Sequence, residues 1–218
     1  MWKSFGWCVA LVALLVGCSG EPDGAPKSTK GSDGIDLQLL DPALQPLRRD
    51  FEDAYGHIRL VAVLSSTCSD CLENSRRLYR TAIEKLEAKG VEVFFVWGSP
   101  LPPDTWHRAR AMAEELSWPN LHHYYDQSGR VTRAFGRTMG LAPGANAYDI
   151  FFLYGPEATW DPEGKMDEEP KDFNVAEAFW APPQPDRWWA DPDRYPGFQK
   201  MWVAEILEAV GADTNSTP

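Results

Sequence analysis

The chain has 218 residues, enough for one ordinary domain with extensions, and its 44% hydrophobic share with ten tryptophans allows a substantial core. A formal net charge of −11 and the lack of any Lys/Arg cluster exclude nucleic acid as a partner, because phosphate contacts need concentrated cationic side chains. The acidity reads as solubility.

Taken in order, the chain opens with Lys3 ahead of a short apolar run, Phe5 to Val16, too short to span a bilayer comfortably. Leu15-Val16-Gly17-Cys18 then matches a lipobox pattern. The segment resembles a bacterial lipoprotein signal, residues 1–17, which implies cleavage before Cys18 and lipidation of that cysteine. The alternative is an ordinary secretory signal in which Cys18 falls by chance. Ser19, where an Asp would signal retention in the inner membrane, points to the outer membrane. The expected location is therefore the cell envelope, with the domain facing the periplasm and tied to the membrane through Cys18. Cys8 leaves with the signal, so only Cys68 and Cys71 remain in the domain, and no framework of structural disulfides is expected. Residues 18–40 read as a flexible tether, with Gly20 to Gly34 rich in Gly, Pro, Ser, Lys and Asp.

The domain is expected over residues 41–212. Pro42 to Tyr55 has Leu44, Leu47, Phe51 and Tyr55 on one helical side. Arg59 to Ser65 is nearly all apolar, as a buried parallel strand requires. It runs through Ser66-Thr67 into Cys68-Ser69-Asp70-Cys71, and a helical pattern follows at once, with Leu72, Tyr79, Ala82, Ile83 and Leu86 on one face as far as Lys89 and a stop at Gly90. Val91 to Trp97 is a second buried strand, which completes a strand–helix–strand crossover. Asp104 or Thr105 caps a helix running to Leu116, and Leu121 to Tyr125 forms a short strand. Tyr148 to Tyr154 is the next strand, and Gly155-Pro156 turns the chain into a return strand starting at Ala158 to Trp160. Residues 161–196 hold seven prolines with Trp180, Trp188 and Trp189 and show no period. This insertion reads either as a lid or substrate platform, with Trp188 and Trp189 facing substrate, or as a surface wrap anchored by its aromatics. A terminal helix follows over Phe198 to Val210, and residues 213–218 form a frayed tail.

A strand that delivers two cysteines into the first turn of a helix has a chemical use. The unpaired N–H groups and the positive end of the helix dipole stabilise a thiolate, the reactive form of the thiol. Two cysteines separated by two residues can then close a disulfide after one has attacked a substrate. The C-x-x-C arrangement resembles the thioredoxin-like superfamily. A second string, Asp126-Gln127-Ser128-Gly129-Arg130-Val131-Thr132-Arg133-Ala134-Phe135-Gly136, resembles the D-x-x-G-x-V-x-x-x-[FY]-G segment of redoxin-type members. The resemblance covers roughly Ile58 to Trp160 and the terminal helix. It implies a three-layer α/β fold, a central mixed sheet with helices on both faces. It also implies a thiol–disulfide oxidoreductase with Cys68 as nucleophile and Cys71 as resolving thiol. The partners would be protein thiols or disulfides, or another redox protein, and no cofactor beyond the Cys68–Cys71 disulfide would be needed.

Several positions depart from the family pattern. Such enzymes place a cis-proline facing the dithiol, yet Ala147 to Asp149 stand there, which makes Asp149 a candidate substrate-facing residue and proton acceptor. Ser69 and Asp70 replace Gly-Pro between the cysteines. Asp70 is expected to oppose the lowering of the Cys68 pKa and to give a more reducing couple. Its other reading is a helix first-turn acid with Thr67 as the cap. The peroxiredoxin string P-x-x-x-[TS]-x-x-C is met by Ser65 but not by Val61, which argues against peroxidase activity. Asp126 reads as a turn or capping residue. His122 and His123 point to opposite faces of a strand. His122 with Cys68 and Cys71 would make a copper or zinc site, the alternative function, and a thioredoxin-like scaffold without catalysis is the third.

Overall fold

The computed structural model describes residues 36–160, 182–190, 192–195, 203–212 and 214. The signal, Cys18, nearly all of the tether, Trp180 and the last residues of the tail lie outside the described residues. Among the described residues no helix is long and apolar enough to cross a membrane.

The elements in chain order are β1 (Leu37–Leu39), α1 (Gln45–Asp53), β2 (Arg59–Ser65), α2 (Ser69–Ala88), β3 (Glu92–Gly98), α3 (Trp106–Glu115), β4 (Leu121–Asp126), α4 (Arg130–Thr138), β5 (Ile150–Tyr154), β6 (Arg187–Ala190) and α5 (Val203–Ala209). They build a mixed sheet in the order β1-β4-β3-β2-β5-β6. β1, β4, β3 and β2 run parallel, while β5 is antiparallel to β2 and β6 to β5. Alternation along each strand splits the core into two packed faces. Leu60, Ala62 and Leu64 of β2, Val93, Phe95 and Trp97 of β3, and Phe151 of β5 pack with α2, α3 and α5. Val61, Val63, Phe94, Val96, Ile150 and Phe152 pack with α1 and α4. This is the three-layer thioredoxin-like fold implied by the dithiol motif.

Local signals explain most boundaries. Along α2, Cys71, Ser75, Leu78, Ala82, Ile83 and Leu86 recur at helical spacing and are buried. The helix ends where Gly90 takes φ 66° and the Val91 N–H reaches back to the Leu86 carbonyl at 2.9 Å, closing the αL turn that favours glycine. Thr105, not Asp104, caps α3. Asp126 accepts from Ser128 N–H and from Val131 N–H, so it caps the turn into α4 as the sequence suggested.

Three expectations change. The tether ends earlier than residue 40, because Leu37–Leu39 pair with His123–Tyr125 as the edge strand β1. Ala158 to Trp160 is not a strand; Trp160 is buried beside Phe51 and Phe135 in the α1/α4 layer. The partner of β5 is Arg187–Ala190 instead, inside the segment read as an insertion. That run lacked a visible period because it is only four residues long and has Pro-rich chain before it. Trp188 and Trp189 are therefore sheet residues, and the buried Trp189 does not face substrate. Trp189 is 2% exposed, packs with the α2/α5 layer and donates its indole N–H to Glu205 at 3.0 Å. Trp188 packs edge-on against Phe152 on the opposite face.

Candidate active site

The site lies at the carboxyl ends of the parallel strands, where Ser65, Gly98 and Asp126 are in register. Here β2 stops and α2 begins. Cys68 is the N-cap of α2, with extended backbone, and its Sγ accepts from the Cys71 N–H at 3.5 Å. A cap atom is normally an oxygen; placing sulfur there directs one of the helix's otherwise unpaired N–H groups, that of Cys71, at the sulfur. Thr67 is not the cap.

Below this turn lies a hydroxyl-rich support. Ser65 Oγ accepts from the N–H groups of Thr67 and Cys68 at 3.2 and 3.1 Å and donates to both carboxylate oxygens of Asp104. Ser66 and Thr67 also donate to Asp104, at 3.1 and 2.8 Å, and the Leu101 N–H completes the set at 3.0 Å. This network fixes the Ser-Ser-Thr turn that presents Cys68.

The two sulfurs are both free thiols in very different surroundings. Cys71 is 0% exposed, and its Sγ accepts from the Ser65 N–H at 3.3 Å. Burial, foremost, pushes its pKa up, and the neighbouring Cys68 and Asp149 add to this. Cys68 is 8% exposed. Its pKa falls to about 5, first through the hydrogen bond from the Cys71 side chain, against the opposing effect of burial, and then through the Cys71 N–H and Arg194. Asp70, expected to oppose this lowering, is not among the main influences on the Cys68 thiol. Its carboxylate is 58% exposed and 3.9 Å from Arg194, so solvent and a cation both blunt its field. Ser69 is exposed beside it.

Asp149 is brought to the dithiol by a chain of local contacts. Gly136 lets the following loop approach α4 closely, since a Cβ there would meet the Ala145 carbonyl at 2.6 Å. The Ala147 N–H bonds to the Thr132 carbonyl at 2.9 Å, and Thr132 Oγ1 donates to Asn146 Oδ1 at 2.8 Å. Asp149 itself takes φ 61°, a left-handed conformation that Asp tolerates better than most residues. Its Oδ1 accepts from Asn74 Nδ2 at 3.1 Å, while Oδ2 has no hydrogen-bond partner among the described residues. Burial, the largest influence, pushes its pKa up to about 6, with Cys68 adding to the rise and Asn74 and Arg194 opposing it.

Ligand atoms of Cys68, Cys71 and Asp149 all lie within 4.8 Å of one another. A guanidinium sits among them: Arg194 Nη1 is 3.8 Å from Asp149 Oδ2 and Nη2 is 3.9 Å from Cys68 Sγ. That cation repels a metal ion, and three donors are one short of the usual tetrahedral set for a soft metal. His122 does not supply the fourth. It sits toward the start of β4, stacked on Phe94 with Nε2 3.0 Å from Glu92, at the other end of the strands from the sulfurs. His123 is buried, its pKa lowered to about 4 chiefly by that burial, with Nδ1 accepting from the Trp97 indole at 3.2 Å.

Sequence reasoning thus found Cys68, Cys71 and Asp149, which the fold brings together, and Asp70 beside them. It missed Arg194, Asn74 and the hydroxyl-accepting role of Asp104. The available signal for Arg194 was weak: an isolated basic residue in an acidic, Pro-rich stretch, 126 positions from Cys68.

No known family profile matches this sequence, and no curated relative does. Among solved structures, a thioredoxin candidate from Neisseria meningitidis is similar at 11% identity and TM-score 0.41, covering 73% of this chain and 75% of its own. The thioredoxin domain of a thiol-disulfide oxidoreductase from Bacteroides vulgatus is similar at 18% identity and TM-score 0.33, over 48% of this chain and 67% of its own. BsSco, a member of the Sco family of cytochrome c oxidase assembly proteins, is similar at 18% identity and TM-score 0.34, over 49% and 68%. Identities this low say nothing of substrate or partner.

Proposed function

We propose that this thioredoxin-like chain is a thiol–disulfide oxidoreductase of the cell envelope. The observation that carries the reading is the asymmetry of the pair: one sulfur capping the α2 N-terminus under a cation, the other buried one turn on. The Cys68 thiolate attacks a disulfide of a protein partner. A new S–S bond forms to Cys68, the partner's S–S bond breaks, and the departing thiolate takes a proton from solvent. Cys71 then gives its proton to Asp149 and attacks Cys68, releasing the partner's second sulfur as a thiolate, which Asp149 or water protonates. The partner gains two electrons, and the Cys68–Cys71 disulfide is left for a thiol partner to reduce. A stabilised thiolate favours the dithiol form, so the couple is expected to be more oxidising than that of thioredoxin, above about −270 mV. The sequence expectation from Asp70 alone had the opposite sign.

The envelope assignment rests on residues 1–18, whose lipoprotein-like pattern supports an anchor at Cys18 and a periplasm-facing domain. Copper or zinc delivery is the less favoured reading, because Arg194 already neutralises the only clustered donors among the described residues.

The test is reduction of insulin disulfides by the full-length mature chain with dithiothreitol as electron source. Turnover should be lost in Cys68→Ser, and Cys71→Ser should trap a mixed disulfide. Wild-type protein that leaves insulin untouched while retaining one copper or zinc ion per dithiol would replace this reading with the metal one.

A further inference from the structure

Residues 192–195, between β6 and α5, form a strap at the mouth of the dithiol. Tyr195 pins this strap. Its hydroxyl accepts from the Tyr148 N–H at 3.2 Å and has the Tyr148 carbonyl at 3.2 Å and the Asn146 carbonyl at 3.4 Å as acceptors. The adjacent Arg194 is thereby laid over the Tyr148 ring, 4.5 Å from its centroid. From that seat the guanidinium reaches three acceptors at once. Cys68 Sγ lies 4.0 Å from Nη1 and 3.9 Å from Nη2, Asp149 Oδ2 is 3.8 Å away, and Asp70 Oδ2 is 3.9 Å away.

The charges facing Cys68 come from each element packed around it. Asp70 and Cys71 belong to α2, Asp149 to the loop before β5, and Arg194 to the strap, with the phenols of Tyr148 and Tyr195 behind it. Asp104 stands on the far side of the Ser-Ser-Thr turn, covered by its hydroxyl donors. Arg194 is thus the one cation among these groups. Its side chain is 27% exposed, so its field at the sulfur is only partly screened.

We propose that Arg194 is a fourth catalytic residue of the exchange reaction beside Cys68, Cys71 and Asp149, the counter-ion that holds the attacking Cys68 sulfur as a thiolate, delivered by the Tyr195-pinned strap. This deepens the oxidoreductase reading and rests on it for the reaction concerned. The role follows the electrons. While Cys68 is reduced, its negative charge shares the guanidinium with the two carboxylates. Once the sulfur enters a disulfide that charge is gone, and the guanidinium is left to Asp149 and Asp70. Arg194 therefore favours the dithiol over the disulfide.

The experiment is the rate of Cys68 alkylation by iodoacetamide as a function of pH, using the full-length reduced protein. Wild type should reach half its maximal rate near the lowered thiol pKa, about 5. Arg194→Met is expected to move that midpoint up by about one pH unit or more, as loss of a close opposite charge does. Arg194→Lys should fall between the two. Tyr195→Phe should move it in the same direction by less, with the far-ultraviolet circular dichroism unchanged. Should Arg194→Met lose that dichroism signal, Arg194→Gln replaces it with the same expectation. A folded neutral variant whose profile superimposes on wild type overturns the proposal. Insulin reduction separates the two claims. An inactive wild type whose alkylation midpoint still moves in Arg194→Met defeats the oxidoreductase reading and leaves the counter-ion role standing. An active wild type with an unmoved midpoint defeats only the role of Arg194.

Discussion

Two buried aspartates flank the Cys68 turn, and they are treated in opposite ways. Asp104 is saturated: three hydroxyls and one backbone N–H donate to it within 3.1 Å. Asp149 is left short, with one amide donor on Oδ1, a guanidinium at 3.8 Å from Oδ2 and a left-handed backbone. Full satisfaction makes a rigid mount, because every donor and acceptor is committed. Partial satisfaction leaves a carboxylate able to take a proton, since burial without enough donors favours its neutral form. One cluster holds the cysteine turn in place, and the other, on the proposed reading, serves the exchange chemistry.

The contrast is most exposed to failure at Asp149. Replacing it with Asn keeps the shape and the tolerance for φ 61° but removes the proton acceptor. Resolution of the mixed disulfide by Cys71 should slow by roughly 100-fold, the usual scale of a general base, as read by quenched-flow trapping of the intermediate. The same variant should be more stable than wild type at pH 7. The folded pKa of about 6 lies above the unfolded value of about 3.9, so the stabilisation linked to this group is complete below about pH 4 and is lost as pH rises through about 6. Removing the group removes that loss, on the order of 2–3 kcal/mol, measurable by urea melts at pH 4 and pH 7. An Asn variant with normal resolution, or one destabilised at pH 7, would erase the distinction.

Asp104→Ala tests the other half. It strands Ser65, Ser66 and Thr67 hydroxyls in a largely buried turn and should cost about 1–3 kcal/mol by urea melt. Exchange should weaken only in step with the disordered Cys68 turn, without the pH signature of Asp149. For wild type, the attack rate should rise with pH through about 5 and then level, following the Cys68 thiolate, while the resolution rate should rise further through about 6 as Asp149 ionises. Asp70→Asn is expected to be the mildest change, because an exposed carboxylate contributes little. The Cys68 alkylation midpoint should move down by a few tenths of a unit at low salt and less at high salt.

Much of the framework was readable because it is written in local periods. The unbroken apolar run of Arg59 to Ser65, the C-x-x-C after it and the helical spacing from Leu72 to Leu86 name β2, the dithiol and α2 from neighbouring residues alone. The D-x-x-G string likewise encodes its own turn, since Asp126 and Val131 need only five residues to meet. Strand β6 was not readable. Four residues, two of them tryptophans, fit a strand, a lid or a wrap equally, and only pairing with β5 selects among these.

The sequence on its own specified which atoms can react: two sulfurs one helical turn apart at the start of α2, because backbone geometry over four residues leaves little choice. How acidic each sulfur is, which carboxylate serves them and which cation faces them depended on the folded chain. Those properties are set by burial and by charges close in space, and Asp149, within 4.8 Å of the sulfurs, and Arg194, 3.9 Å from Cys68 Sγ, come from 78 and 123 positions beyond Cys71. Electrostatics sums over neighbours in space, so no window of sequence contains it.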